Sequence, residues 1–202
     1  GQFGTLTVGN VDRATDGHGF ADVGFDGIGI DDDAEGRRAM GSSDIHFKTT
    51  FDALTVILSA ASTKTTTGSD FAIALGYDFG SFDVSIGHAI DDQLAAANDT
   101  STSIVVNGAT GDINFGVFYD TAKVAGVTIN SYGVDVGYTM GATSLVFAYG
   151  DTDIATDGAD YGVGVTYDLG GGAKLGAGIG SVDRVGAANR KTVADFGINF
   201  TF

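Results

Sequence analysis

The sequence contains no cysteine, no proline and no tryptophan among its 202 residues. Without cysteine there is no disulfide framework, no thiolate zinc site and no cysteine nucleophile. Positive charge is also scarce, because 10 Lys and Arg residues stand against 26 Asp and Glu residues, which gives a formal net charge of −16. This balance argues against nucleic acid as a partner, since nucleic acid binding relies on Lys and Arg contacts to phosphate.

Long hydrophobic runs are lacking as well. The longest apolar stretches, such as residues 54–58, are far shorter than the about 18 residues that a membrane helix needs, so no transmembrane helix is predicted. Yet 43% of the residues are hydrophobic and the mean hydropathy is +0.15, which is too apolar for a disordered acidic polymer. Because the first residues show neither an initiator Met nor a signal-peptide pattern, we expect a leader to have been removed or to lie outside this sequence.

Glycine is abundant, with 33 residues, about twice its usual share of about 7%. Glycine is costly inside helices but suits tight turns and crowded strand faces. Residues 71–79 place Phe, Ile, Leu, Tyr and Phe on one face and Ala, Ala, Gly and Asp on the other. Residues 81–87 repeat this alternation after Gly80, so the two runs predict a β-hairpin.

Hairpins of this kind recur about every 30 residues, the length of two strands, one tight turn and one longer loop. Short turns are predicted near 51, 80, 109, 141 and 170, and longer polar loops over 61–68, 89–100, 121–128, 151–159 and 182–190. The whole chain, 1–202, is predicted to be a single β-barrel domain. Its twelve predicted strands are about 3–9, 44–50, 53–60, 69–79, 81–88, 101–107, 111–119, 129–139, 142–150, 159–168, 173–181 and 191–202.

The face of these strands opposite the aromatic and aliphatic residues distinguishes a membrane barrel from a soluble β-sandwich. A sandwich carries Lys, Glu and Thr on its outer face, whereas here the second face holds mostly Gly, Ala, Ser, Thr and Asp. The aromatic and aliphatic face is typical of a lipid-facing band, which predicts an all-β, antiparallel transmembrane β-barrel. The last strand ends in an alternation that resembles the assembly signal of bacterial outer-membrane barrels, and this signal comprises Phe196, Ile198, Phe200 and Phe202.

Three stretches, residues 1–12, 161–173 and 193–200, are similar to general-diffusion porins of Rhodobacter-like alphaproteobacteria. The resemblance implies a homotrimer of sixteen-stranded barrels in the outer membrane, in contact with lipid and lipopolysaccharide, that passes small polar solutes and requires no cofactor. The twelve predicted strands match the fifth to sixteenth strands of the family, so we expect four N-terminal strands to be missing. A complete twelve-stranded barrel is the alternative, because even strand counts close.

Residues 10–43 form the one long stretch without sustained alternation. By resemblance they are the inward-folding constriction loop, and a loop so rich in carboxylates predicts a weak preference for cations. Alternatively, its charges solvate an external loop. The predicted constriction residues are Asp22, Asp26, Asp31, Asp32, Asp33, Glu35, Arg37 and Arg38, and the predicted residues of the lumen wall are Asp44, His46 and Lys48.

Asp31, Asp32, Asp33 and Glu35 could together bind calcium, because hard carboxylate oxygens at short spacing suit this ion. The EF-hand pattern is absent, and a solvated acidic run is the alternative interpretation. Catalytic motifs are also absent from the sequence, since its three histidines are scattered, so no enzyme activity is predicted. The alternative function is a soluble or cell-surface acidic β-protein, such as a calcium-binding adhesin or a β-solenoid. A sequence period of about 30 residues rather than nine argues against a solenoid.

Overall fold

The computed structural model describes residues 3–15, 21–30, 42–62, 69–91, 99–154, 158–183 and 190–201. Within these ranges the regular structure consists of β-strands, as the alternation predicts. The strands are β1 (Thr5–Val11), β2 (Ser43–Phe51), β3 (Leu54–Ser62), β4 (Ser69–Asp78), β5 (Phe82–Asp91), β6 (Asp99–Thr110), β7 (Ile113–Val124), β8 (Val127–Met140), β9 (Thr143–Thr152), β10 (Asp160–Gly170), β11 (Ala173–Val182) and β12 (Lys191–Phe200).

All twelve strands belong to one sheet in which spatial order follows sequence order, from β1 to β12. Neighbouring strands are antiparallel, as short connections between consecutive strands require. In the part of the chain that the structure describes, no helix has the length and apolar character needed to cross a bilayer. The predicted all-β, antiparallel fold is therefore confirmed.

The two faces of the sheet differ sharply in residue size. On β4, Phe71 and Leu75 are 46% and 41% exposed, whereas Ala72 and Ala74 are 0% and 3% exposed. We call the side that bears Phe71 and Leu75 the apolar face, and the side that bears Ala72 and Ala74 the small-residue face. Every strand in the sheet continues these two faces, because successive side chains of a strand point to opposite sides.

The chain divides into two compact units. The first comprises residues 1–19, 36–106 and 118–130. Its register aligns Leu58 of β3 with Ile73 of β4, and Ile73 with His88 of β5, all on the apolar face. On the small-residue face, Ala72, Ala74 and Ala89 form a buried cluster with Ile57 and with Ala14 from the segment that follows β1. The small side chains of this cluster leave room for that segment.

The second unit comprises residues 20–35, 107–117 and 131–202. Its register aligns Phe147 of β9 with Val163 of β10, Val163 with Ile179 of β11, and Ile179 with Ala194 of β12. All four side chains lie on the apolar face. Large exposed hydrophobic side chains, which include Phe147, Val163 and Ile179, cover much of this face, as expected of a surface that contacts lipid.

The short turns lie close to their predicted positions, but one predicted loop is wrong. Residues 121–128 were expected to form a long polar connection, whereas β7 continues to Val124 and β8 begins at Val127. The connection is the two-residue turn Ala125 and Gly126, with φ of 49° and 84°. Positive φ at both positions gives a turn whose twist matches the strands. The Asp99 carboxylate also accepts a hydrogen bond from the Ala125 N–H at 2.8 Å.

Candidate functional site

The acidic segment between β1 and β2 is described over residues 12–15 and 21–30, and Arg13 and Ala14 pack on the small-residue face in the first unit. The Arg13 guanidinium forms an ion pair with the Asp70 carboxylate of β4, and both side chains are fully buried. The Ala14 N–H donates to Ser59 Oγ of β3 at 2.9 Å, and the Ser43 hydroxyl donates to the same oxygen at 3.1 Å. Buried ionic and polar contacts therefore attach residues 13 and 14 to two neighbouring strands.

A glycine of β5 makes room for the next residue of the segment. A Cβ on Gly87 would lie only 2.9 Å from the methyl carbon of Thr15. Thr15 is 2% exposed, so it cannot move outward without losing its packing. The small side chains of β4 and β5 thus form a recess in the sheet that accommodates residues 13–15.

In the second unit the acidic segment is attached to the last strand by a carboxylate. Oδ2 of Asp195 on β12 accepts hydrogen bonds from the N–H groups of Phe25 and Asp26, both at 2.8 Å. Hydrogen bonds to an ionised acceptor are stronger than those between neutral groups. The carboxylate also occupies the position that a Cβ of Gly24 would take, and Gly24 has φ of +104°, so only glycine fits there.

Glycines of β10, β11 and β12 form the surface on which this part of the segment lies. A Cβ on Gly178 would come within 2.5 Å of the Gly24 Cα, and a Cβ on Gly197 within 2.5 Å of the Phe25 ring. These close approaches mean that the backbone of the segment lies almost directly on the backbone of the sheet. We call this surface the glycine seat, and its members are Gly162, Gly164, Gly176, Gly178, Gly180 and Gly197.

The segment on the glycine seat buries hydrophobic side chains and exposes two carboxylates. Val23, Ile28 and Ile30 are buried at 1%, 8% and 1% exposure, and Ile30 lies against the seat. Asp22 and Asp26 of the same segment are exposed. The hydrophobic side chains therefore hold the segment against the strands, while the two carboxylates face solvent.

The structure places only part of the predicted constriction. Asp22 and Asp26 lie on the segment described above, and their role in a constriction stays a prediction. The other six predicted residues lie outside the described residues, as does the proposed calcium cluster, whose four members are among them. Among the described residues there is no group of three or more His, Asp or Glu side chains that could hold a metal ion. The residues outside the description are Asp31, Asp32, Asp33, Glu35, Arg37 and Arg38.

The three predicted wall residues share the small-residue face of β2. His46 pairs with Ser59 of β3, and Lys48 pairs with Ile57. Asp44 lies on the same side, two residues before His46. The alternation of β2 thus puts all three on one face of the sheet, and their contribution to a lumen stays a prediction.

The predicted assembly signal lies on the apolar face of β12. Phe196, Ile198 and Phe200 are 86%, 43% and 53% exposed, which fits side chains that meet lipid or another protein. Phe202 lies outside the described residues. Recognition of these residues during assembly stays a prediction.

Sequence reasoning did not identify the residues that attach the acidic segment to the sheet. Arg13, Asp70 and Asp195 are separated by long stretches of sequence, and no local motif connects them. One signal was available, because Gly176, Gly178 and Gly180 repeat at every second position of one strand. Three glycines on one face of a strand indicate close approach of another backbone.

Comparison with known proteins shows that this chain is similar to porins. The sequence matches the Gram-negative porin family over residues 1–187. It is 31% identical over 156 residues to a porin of Rhodobacter capsulatus, in an alignment that covers 66% of this chain and 51% of that protein. The chain thus spans about half the length of this curated relative.

Solved structures show the same fold. A porin refined at 1.8 Å is 22% identical, with a TM-score of 0.80 and coverage of 100% of this chain and 79% of the other. A mutant of the Rh. blastica porin is 18% identical, with a TM-score of 0.75 and coverage of 98% and 73%. At these identities the likeness establishes the fold.

Proposed function

The chain belongs to the Gram-negative porin family of the bacterial outer membrane, and from this premise we propose that it forms a passive diffusion pore for small hydrophilic solutes and ions. Family membership indicates a channel rather than an enzyme, and it argues against the adhesin and β-solenoid alternatives. The observation that carries the proposal is the acidic segment held on the small-residue face of the strands. In a porin barrel this face lines the water-filled interior.

A weak preference for cations is the second part of the proposal. Asp22 and Asp26 are exposed on the attached segment, and aspartates also occur on the small-residue face of several strands, including Asp70, Asp135 and Asp195. Carboxylates in a confined space attract cations and repel anions, and the low-dielectric wall focuses their field. The net charge of −16 acts in the same direction.

Conductance across a planar bilayer tests both parts. We expect stepwise current increases when the purified protein is added, and a reversal potential in a KCl gradient whose sign corresponds to cation preference. Replacement of Asp22 and Asp26 by Asn should move the reversal potential toward zero. Absence of steps from folded protein would refute the pore, and a reversal potential that favours anions would refute the selectivity.

We also propose a homotrimer, on the basis of family resemblance. An unboiled sample on a denaturing gel should migrate as an assembly that heating converts to the single chain. A control sample that is boiled before loading gives the position of the chain alone. If the unboiled and boiled samples migrate alike, the trimer is rejected.

A further inference from the structure

Phe25 differs from the other hydrophobic residues that the acidic segment places on the glycine seat. Val23, Ile28 and Ile30 are buried to 8% exposure or less, whereas the larger Phe25 is 40% exposed. Burial of apolar surface stabilises the attachment of the segment, and the three buried side chains supply it. The Phe25 ring therefore retains surface that can contact a solute.

The ring of Phe25 lies over a pair of glycines on the small-residue face. Three of its ring carbons, Cδ1, Cε1 and Cζ, are 2.5–2.7 Å from the position that a Cβ of Gly197 would take, and Cδ2 is 3.4 Å from that of Gly176. These two glycines are partners in the register of β11 and β12. Because the strand backbones cover one side of the ring, its exposed part is directed toward the interior that this face lines in a porin barrel.

A closed turn fixes the ring in this position. The Ile28 N–H donates a hydrogen bond to the Val23 carbonyl oxygen at 3.1 Å, which closes a turn with Phe25 and Asp26 at its centre. The N–H groups of these two central residues donate to the Asp195 carboxylate. The ring is therefore held in place before a solute arrives, so binding to it requires little loss of conformational freedom in the protein.

Two carboxylates accompany the ring on the same turn. Asp26 follows Phe25 directly, and Asp22 Oδ1 is 3.5 Å from the position that a Cβ of Gly27 would take. Both aspartates are exposed. Aromatic rings stack on one another, and carboxylates attract cations. The turn therefore suits a solute that carries both an aromatic ring and a positive charge.

The strands beneath the ring do not reverse this charge. Two positions from the glycine pair, which is about 7 Å along a strand, the small-residue face carries Lys174, paired with Asn199 of β12 and with Asp168 of β10. The charges of Lys174 and Asp168 are opposite in sign. Two positions in the other direction, the same face carries Asp195. The surroundings of the ring thus remain acidic.

We propose that Phe25 is a specificity-determining residue of the pore, a stacking surface for aromatic organic cations whose charge lies next to Asp22 and Asp26. This inference rests on the proposed diffusion pore, since it assigns a solute class to the same interior. It goes beyond the preference for cations, because it depends on the ring. Two cations of equal charge should therefore be distinguished when only one of them is aromatic.

Single-channel recordings in KCl with two quaternary cations test this assignment. Benzyltrimethylammonium and n-hexyltrimethylammonium carry the same charge, but only the first has a ring. The half-blocking concentration, at which the potassium current falls to half, should be about threefold lower for the benzyl compound, since a pair of aromatic rings gains more than its buried area provides. Benzenesulfonate, an aromatic anion, should reduce the current least.

Phe25→Leu separates the effect of the ring from that of hydrophobic volume. It should remove the difference between the two cations, whereas Phe25→Tyr should retain it. Phe147→Leu is the matched control, because Phe147 is 42% exposed on the apolar face of β9, and its ratio of half-blocking concentrations should equal that of the original protein. Asp22→Asn combined with Asp26→Asn should raise both half-blocking concentrations and leave their ratio unaltered.

The conductance in KCl alone, recorded first, verifies that each variant has folded into a pore. Equal half-blocking concentrations of the two cations in the original protein would overturn the stacking surface and leave the pore standing. An unchanged ratio in Phe25→Leu would overturn it as well, because the ring would then contribute nothing. If the original protein gives no conductance steps, the pore is refuted and the solute site with it.

Discussion

At the scale of single residues, two aspartates of the small-residue face attach the acidic segment by different chemistry. Asp70 holds Arg13 through a buried ion pair. Asp195 instead accepts hydrogen bonds from two backbone N–H groups, so it holds the backbone of the segment rather than a side chain. Removing one partner of a buried pair leaves an uncompensated charge, whereas removing a backbone acceptor leaves unsatisfied donors. Loss of Asp70 and loss of Asp195 should therefore destabilise the attached segment in different ways.

Asp195→Ala is expected to loosen the segment over residues 24–26 and to destabilise the fold by about 1–3 kcal/mol, because two N–H groups lose their acceptor. We expect added current noise in single-channel recordings and a lower midpoint of unfolding in urea. Asp78→Ala is the control, since Asp78 also accepts a backbone N–H, from Gly80, but at a short turn. Equal noise in both variants would contradict the attachment by Asp195.

Arg13→Met should be more costly, by about 3–5 kcal/mol, because the Asp70 carboxylate would stay buried without its cation. Combining Arg13→Met with Asp70→Leu should recover much of the lost stability, since two apolar residues leave no charge behind. Urea unfolding in detergent micelles measures the free energy of unfolding of each variant. A double variant no more stable than Arg13→Met would show that the two residues do not act as a pair.

At the scale of structural elements, the glycine seat makes β10, β11 and β12 a surface shaped for another backbone. A Cβ on Gly178 would lie 2.5 Å from the Gly24 Cα, a distance that real Cβ contacts do not tolerate. On β4, by contrast, a Cβ on Gly76 would meet Ser85 at an ordinary 3.7 Å. Both glycines lie on the small-residue face. The close approach of a second backbone therefore depends on where a glycine lies in the sheet, and not on the presence of glycine alone.

This difference predicts the effects of two matched substitutions. Gly178→Ala should displace the segment and change the single-channel conductance, whereas Gly76→Ala should leave the conductance unaltered. Recordings in the same KCl solution compare the two variants. The same conductance for Gly178→Ala as for the original protein would indicate that the segment does not narrow the pore.

The hairpin between β7 and β8 offers a test of backbone strain. Ala125 has φ of 49°, a conformation that costs an L-residue with a Cβ about 1–2 kcal/mol and that asparagine adopts more readily. Ala125→Asn should therefore stabilise the protein by roughly 1 kcal/mol. The control Ala109→Asn, on the regular strand β6, should give no gain. A lower urea midpoint for Ala125→Asn would show that the turn differs from the structure described.

At the scale of the whole molecule, the charge balance predicts how selectivity depends on salt. The Debye length falls from about 10 Å at 0.1 M salt to about 3 Å at 1 M, so carboxylates act over shorter distances at high salt. Cation preference should accordingly decrease between 0.1 M and 1 M KCl, as measured by reversal potentials at a constant concentration ratio. If the cation preference does not change with salt concentration, the charges that control selectivity directly contact the permeating ions.

The sequence by itself determined the strands, their two faces and the order of the sheet. Alternation has a period of two residues, so Phe71 and Ala72 reveal their faces without any knowledge of neighbours. The sequence did not predict the turn at Ala125, because the stability that a tight turn adds depends on pairing between β7 and β8.

Only the tertiary structure decided which residues hold the acidic segment. Arg13 meets Asp70, and Phe25 meets Asp195, across separations of 57 and 170 residues that no local pattern encodes. Local periodicity is a property of the chain, whereas contacts between distant residues exist only after the strands have paired.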